Sequence, residues 1–576
     1  MLSFRSPSRP RSNGSNGRAS WRELLFSKAF RAAVVLVLLS TSFLAFIRYR
    51  SPVPTLDPSR QATQNIVNAI SEGAKQATEP HKGRLHLLVP TTSSNVNLCK
   101  LLLSAHILGY PTPILLNFGD HEEQDEYVQH LAKVQGIYDY LLSVEADSEY
   151  KEDLVLIIDA WDLWFKLRPD VLLKRYYAVN KAADQRTREK FGEEAMVEHN
   201  MRQTVLFGPD KICWPVDYSR PACWAVPDGN LPKFAFGPQT SNGRRETNQP
   251  IWLNSGTIMG PVRDLLEVFR ATLDEIHNNH VTDSDQFYFA NLFGTQELAR
   301  LRTNPELLEA RKQDVFGDDA EWARSDMTRN EPATAWGQKV EYHIGIDYAS
   351  VMFQTLAFWK QYLTWTREID SWTPPDGQSP LYYPGLSGSP YSVRLSKDIH
   401  ESLPPFSATR DPNASGHSGV HPSWSEVELL YNVVAQEAPV MIHFTGEKAY
   451  RHFWWQRMWF QSRAEELRLA SLTSAADPLS EEEIEGLIWY PANPDDADEI
   501  VNNGKGGAWD DRSSGFHTFK RLCKPYEEEL YNIPSQEFYH PAPESPEEPQ
   551  PPEVPQEPEA SNEDDDAEGG MKQDST

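Results

Sequence analysis

Leu154-Val-Leu-Ile-Ile-Asp-Ala-Trp-Asp-Leu-Trp-Phe-Lys-Leu-Arg168 is the stretch from which the fold can be read. Leu154 to Ile158 run without polar interruption, as a strand buried on both faces of a parallel sheet does. Asp159 and Asp162 follow at once. Open α/β sheets bind ligands at the carboxyl edge of their strands, so two carboxylates three residues apart at such an end can converge on one point. Hard divalent cations take oxygen ligands and often hold a substrate's phosphates, which makes this an Asp-x-x-Asp candidate for a metal and a nucleotide diphosphate. With 83 acids among 576 residues, pairs at this spacing also arise by chance. The preceding apolar strand is what singles this pair out.

Working outward, Leu85 to Val89 reads as another short strand, followed by a polar turn at Thr91 to Ser94. A helical pattern through Leu98, Leu101, Leu102 and Ile107 ends at Gly109, and Ile114 to Leu116 resumes as strand. This is a βαβ opening, and it predicts an α/β fold with a mostly parallel central sheet joined by helical crossovers. Thr91 and Thr92 then sit at the nucleotide end of that sheet. Past Arg168, a charged helix is expected from Pro169 toward His199, then a strand at Thr204 to Phe207. Cys213 and Cys223 lie ten apart in a loop with two prolines. A disulfide is the favoured reading and zinc the weaker one, since no second Cys or His pair stands at ligand spacing.

Trp252-Leu-Asn-Ser-Gly-Thr-Ile-Met-Gly260 has the glycine punctuation of a tight loop approaching a ligand, with an ordinary strand-turn-helix as its alternative, and Val262 to His277 is an amphipathic helix. Asp283-Ser-Asp-Gln-Phe-Tyr-Phe opens another helix, whose cap accounts for one of its two acids. Residues 371 to 424, rich in Pro, Ser and Gly, are expected to form a surface insertion carrying the sequon Asn413-Ala-Ser415. The apolar pattern returns in Val427 to Val434, and a short strand at Pro439 to Ile442 delivers His443 into Phe444-Thr-Gly-Glu-Lys448. On residue pattern alone, that histidine reads as a strand cap in preference to a ligand.

The ends of the chain differ from the head. Ala32 to Ile47 is a mostly apolar, uncharged run bracketed by Arg31, Arg48 and Arg50, and it is expected to be a membrane anchor in preference to a cleaved signal peptide. Arg5, Arg9, Arg11, Arg18, Arg22, Lys28 and Arg31 stand before it against Glu23, so the positive-inside rule keeps residues 1–31 cytoplasmic and the rest lumenal. Residues 48–82 form a stem, 83–532 the head, and 533–576 a tail. Residues 541–576 hold twelve acids, one lysine and eight prolines, a composition that stays disordered. A net charge of −28 argues against a nucleic-acid partner, whose phosphates require a concentrated basic face.

From about Leu85 to Lys448 these motifs resemble, in order, the glycosyltransferase domain of the procollagen lysyl hydroxylase and glucosyltransferase family. IIDAWD is similar to its Asp-x-x-Asp motif, VLFGPDKICWPVD to its strand and Cys-Trp-Pro loop, and WLNSG to its Leu-Asn-Ser-Gly loop. SDQFYF, DYASVMFQT and IHFTGEK match three later segments, with Ser284 where the family has Asp and Thr445 where it has Asn. The resemblance implies a single-domain GT-A fold and hexose transfer from a UDP-sugar with Mn²⁺, to a protein or glycan acceptor in the Golgi or endoplasmic reticulum. It implies Asp159, Asp162 and His443 as metal ligands, Trp161 near the uridine, Gly446 and Lys448 on the diphosphate, and Asn254 and Asp285 on the sugar and acceptor side. A glycoside hydrolase, or a non-catalytic lumenal binding protein that keeps the fold, are the competing readings.

Overall fold

The computed structural model describes residues 81–119, 126–146, 152–242, 244–282, 284–317, 339–372, 391–407, 422–471, 477–493, 497–512 and 515–531. The expected anchor, the stem as far as residue 80, Asp283, the Asn413 sequon and the acidic tail lie outside them, and His81 and Lys82, expected to end the stem, instead begin the first strand. Among the described residues no helix is long and apolar enough to cross a membrane.

The chain enters as β1 (His81–Pro90), α1 (Val96–Leu108), β2 (Ile114–Leu116), α2 (Glu126–Glu145) and β3 (Leu154–Ile158). Asn95 caps α1 by accepting from the Asn97 and Leu98 amides, and Gly109 ends it in a left-handed conformation that costs glycine little. Next come β4 (Leu163–Phe165), α3 (Pro169–Phe191), β5 (Val205–Asp210), β6 (Trp252–Pro261), α4 (Val262–Asn278), α5 (Asp285–Arg302), β7 (Ile344–Ile346) and β8 (Phe353–Thr355). Short strands follow: β9 (Leu363–Thr366), β10 (Ile369–Trp372), β11 (Tyr391–Val393), β12 (Leu429–Asn432) and β13 (Met441–His443). Then come β14 (Leu487–Pro491), β15 (Gly507–Asp510) and β16 (Phe516–Thr518), and two short helices, Phe519–Cys523 and Glu527–Tyr531, close the described chain.

Nine strands make the central sheet, in the order β16-β15-β2-β1-β3-β6-β5-β7, with β14 also paired to β1. Five of its pairings are parallel and three antiparallel, so the expected α/β class with a mostly parallel sheet is what the chain adopts. Strand alternation divides two cores. Leu85, Leu87 and Val89 of β1 join Leu154, Leu156 and Ile158 of β3 on the face covered by α1, whereas Leu88, Val155 and Ile157 face α2, α4 and α5. All five residues of β3 are buried, as the unbroken apolar run requires.

Some expectations needed correction. The Trp252 to Gly260 segment is no loop but the body of β6, a ten-residue strand antiparallel to both β3 and β5. Its glycines mark close packing instead of a turn. The charged helix after Pro169 breaks at Gly192, where φ is 88°, before a separate short helix at Glu193–Glu198. Within the stretch expected to be an insertion, Val393, Ile399 and Trp424 are buried in the main core. Cys213 and Cys223 form the expected disulfide, and Cys99 joins Cys523 across a separation of 424 residues.

Candidate metal centre

Two sheets meet at the end of β3. The turn Asp159 to Asp162 leads from β3 into β4, which belongs to a three-stranded sheet ordered β4-β13-β8. In that sheet His443 lies opposite Leu163, the neighbour of Asp162, and this register brings residues 280 apart in sequence to one place. Phe444 donates its amide to the Asp162 carbonyl at 2.7 Å, and Asp159 donates its own to the Gly256 carbonyl at 2.9 Å. The turn is thus held from β13 on one side and from β6 on the other.

His443 Nε2 stands 3.5 Å from Asp162 Oδ1 and 3.9 Å from Asp159 Oδ2. One donor atom from each of Asp159, Asp162 and His443 falls within 4.8 Å of the others, close enough for one ion to touch all three. Two carboxylates and an imidazole suit a divalent cation without specifying which. Gly256 gives this cluster its room, because a Cβ there would come within 2.2 Å of His443 Cε1 and 2.6 Å of Asp159 Oδ2. These residues fit a cation; Asp159 Oδ2, Asp162 Oδ1 and His443 Nε2 would hold it. His443 Nδ1 is buried and has no hydrogen-bond partner among the described residues.

Lysines flank the cluster on both sides. Lys448 pairs with Asp162 from the turn after β13, and its side chain is 47% exposed. Burial disfavours the Asp162 charge, but His443 and then Lys448 outweigh it and hold that carboxyl well below the usual range. Lys133, from α2, reaches Asp159 Oδ1 at 2.8 Å, Asp285 Oδ2 at 3.1 Å and the Ser255 carbonyl at 3.3 Å. Burial works against its charge as well, and Asp159 and Asp285 together raise its pKa above the ordinary lysine value.

The other expected residues take these places. Asp285 is the first residue of α5, 3% exposed, with Ser255 Oγ donating to its Oδ1 at 3.1 Å. Asn254 Oδ1 accepts the Gly256 amide at 3.1 Å, and its side chain also hydrogen-bonds Asp210. Trp161 is half-buried and donates Nε1 to Thr91 Oγ1 at 3.1 Å, linking the metal turn to the end of β1. Gly446 adopts φ 71°, which a side chain would strain. Thr445 accepts the Leu356 and Ala357 amides on its hydroxyl at 3.1 and 3.0 Å, so it holds the loop after β8. Ser284 is the N-cap residue of α5 but makes no side-chain cap bond.

Three contributors had no signal in the sequence. Lys133 is one polar position in a helix, Arg451 donates to the carbonyls of Trp161 and Lys448 at 2.7 and 3.2 Å, and Asp210 ends β5. Burial pushes the Asp210 carboxyl up to about 6 despite backbone donation from Lys211 and Ile212. The β5–β6 register brings Asp210 beside the cluster, the pairing of β4 with β13 brings Arg451, and Lys133 reaches it from α2. The chain matches no protein-family model and no curated protein.

Proposed function

We propose that this protein is a metal-dependent glycosyltransferase of GT-A type that moves a hexose from a UDP-sugar to a protein or glycan acceptor. The observation that carries the reading is the convergence of Asp159, Asp162 and His443 at the carboxyl edge of a parallel sheet, with Lys448 alongside. A divalent cation bound there supplies Lewis-acid stabilisation of negative charge on a leaving diphosphate. The protein's own part is preorganisation: β3 and β13 fix the donor atoms, and Arg451 ties the Lys448 turn to Trp161. Lys448 brings a second positive charge to the same edge, and Trp161 and Thr91 offer an aromatic and a hydroxyl surface for the nucleoside. Asn254 and Asp285, behind the cluster, take the sugar and acceptor side. A close carboxylate pair that converges on one point serves a cation better than it flanks a scissile bond, which sets this reading above glycoside hydrolysis.

The same reading places the head in the lumen of the endoplasmic reticulum or Golgi as a type II protein. Incubating the full-length chain in detergent with a panel of UDP-hexoses and Mn²⁺ tests the activity. UDP release that stops with EDTA is the expected result. Release from no donor, or hydrolysis of a nitrophenyl glycoside without nucleotide or metal, would overturn it.

A further inference from the structure

Lys133 has three ammonium hydrogens and three acceptors in reach: Asp159 Oδ1, Asp285 Oδ2 and the Ser255 carbonyl. Asp159 Oδ1 and the Ser255 carbonyl accept its hydrogen bonds, and Asp285 Oδ2 is its ion-pair partner. Asp159 divides its two oxygens, with Oδ1 on the lysine and Oδ2 as the atom 3.9 Å from His443 Nε2. We propose that Lys133 is a positioning residue: it fixes Asp159 so that one oxygen alone is presented to a cation, and it ties that carboxylate to Asp285 through a single ammonium. This inference rests on the metal reading of the cluster.

Simple charge neutralisation would explain less. A buried carboxylate needs a cationic or hydrogen-bonding partner, and Asp285 has Lys133, Ser255 Oγ and the Gln286 amide at 2.8 Å. If Lys133 existed only to satisfy Asp285, its shorter contact would be to Asp285. The shorter contact is to Asp159, which at 36% side-chain exposure has water as an alternative partner. A long, flexible side chain from α2 spends its conformational freedom on ordering the one carboxylate that is not forced into order by burial. The consequence is a linkage: occupancy at Asp159 Oδ2 and the orientation of Asp285 share Lys133 as a common anchor.

The full-length chain, titrated calorimetrically with MnCl₂, distinguishes these roles. Lys133→Met alone also takes a cation from beside the buried Asp285, so the informative variant is Lys133→Met combined with Asp285→Asn, which removes one positive and one negative charge and leaves the net charge of the site unchanged. If Lys133 positions Asp159, the double variant melts as a cooperative unit but binds Mn²⁺ at least tenfold more weakly than the wild type. Equal affinities in the two proteins would show that Lys133 only compensates Asp285, and would overturn the inference alone. Absence of Mn²⁺ binding by the wild type at millimolar concentration would overturn the metal reading and this inference with it.

Discussion

At Gly256 the site depends on the absence of a single atom. The residue lies in the interior of β6, where any side chain is ordinarily tolerated, yet a Cβ would overlap His443 and Asp159. Neither can retreat, since His443 is 3% exposed and Asp159 is held by Lys133. Gly256→Ala should therefore lower Mn²⁺ affinity at least tenfold in a calorimetric titration and cost about 1–3 kcal/mol of stability through overpacking. An Ala variant with unaltered affinity would show that the cluster has no need of this space. Thr445 makes a different point: its hydroxyl holds two backbone amides of the loop after β8, so this side chain serves architecture. Thr445→Val should destabilise by about 0.5–1.5 kcal/mol in denaturant titrations, because the partly buried Ala357 amide loses its partner while the Leu356 amide keeps the His443 carbonyl at 2.9 Å. UDP release should persist, which is the outcome that separates a structural substitution from a catalytic loss.

At the scale of elements, legibility followed periodicity. Leu154 to Ile158 and Leu85 to Val89 were readable because buried parallel strands are unbroken apolar runs, and α1 was readable from its apolar pattern and its terminal Gly109. The β6 segment was misread as a loop because glycines that permit close approach look in sequence like glycines that permit a turn. The strands β14, β15 and β16 gave no signal: they are three to five residues long, β14 and β15 pair with β1 and β2 more than 350 positions away, and β16 joins the sheet through β15. Of the site, the Asp pair was legible from its strand, whereas His443 needed the β4–β13 register, and Lys133 and Arg451 needed the tertiary fold. The same distance effect hid a disulfide. Cys213 and Cys223 pair within one loop, but Cys99 and Cys523 join α1 to the last helices, and Ser94 Oγ bonds the Leu522 carbonyl at 2.8 Å beside them. The chain-entropy argument assigns the long closure about 6 kcal/mol and the short one about 2–3 kcal/mol. Replacing both Cys99 and Cys523 by Ser should thus lower the unfolding free energy more than replacing Cys213 and Cys223. Equal losses would show that residual structure in the unfolded chain already holds the ends together.

For the molecule as a whole, burial sets how stability responds to acid. Asp210, Asp347 and Asp511 are each pushed up to about 6, mainly by burial, while burial pushes His106 down to about 4. An unfolded Asp titrates near 3.9 and an unfolded His near 6.5. For the three acids, the folded state holds more protons than the unfolded state between about 4 and 6, so their contribution to stability grows as pH falls through that window. His106 acts in the opposite sense: its ring bonds the Gly507 amide at 3.0 Å, and the stability of keeping it neutral is present above about 6.5 and lost as pH falls toward 4. Asp162 and Asp264, held below the usual range, add stability above about 3.9 and lose it only under stronger acid, so they do not decide this window. Asp511 is half-exposed and its share is reduced by solvent screening. The two more buried acids still outnumber the one histidine, with shifts of similar size on each. In EDTA, to keep metal from Asp159 and Asp162, urea unfolding should give a stability at pH 5 equal to or above that at pH 7. His106→Gln, which removes the opposing proton, should enlarge that gain. A steep loss of stability from pH 7 to pH 5 that His106→Gln abolishes would mean that the histidine outweighs the buried acids.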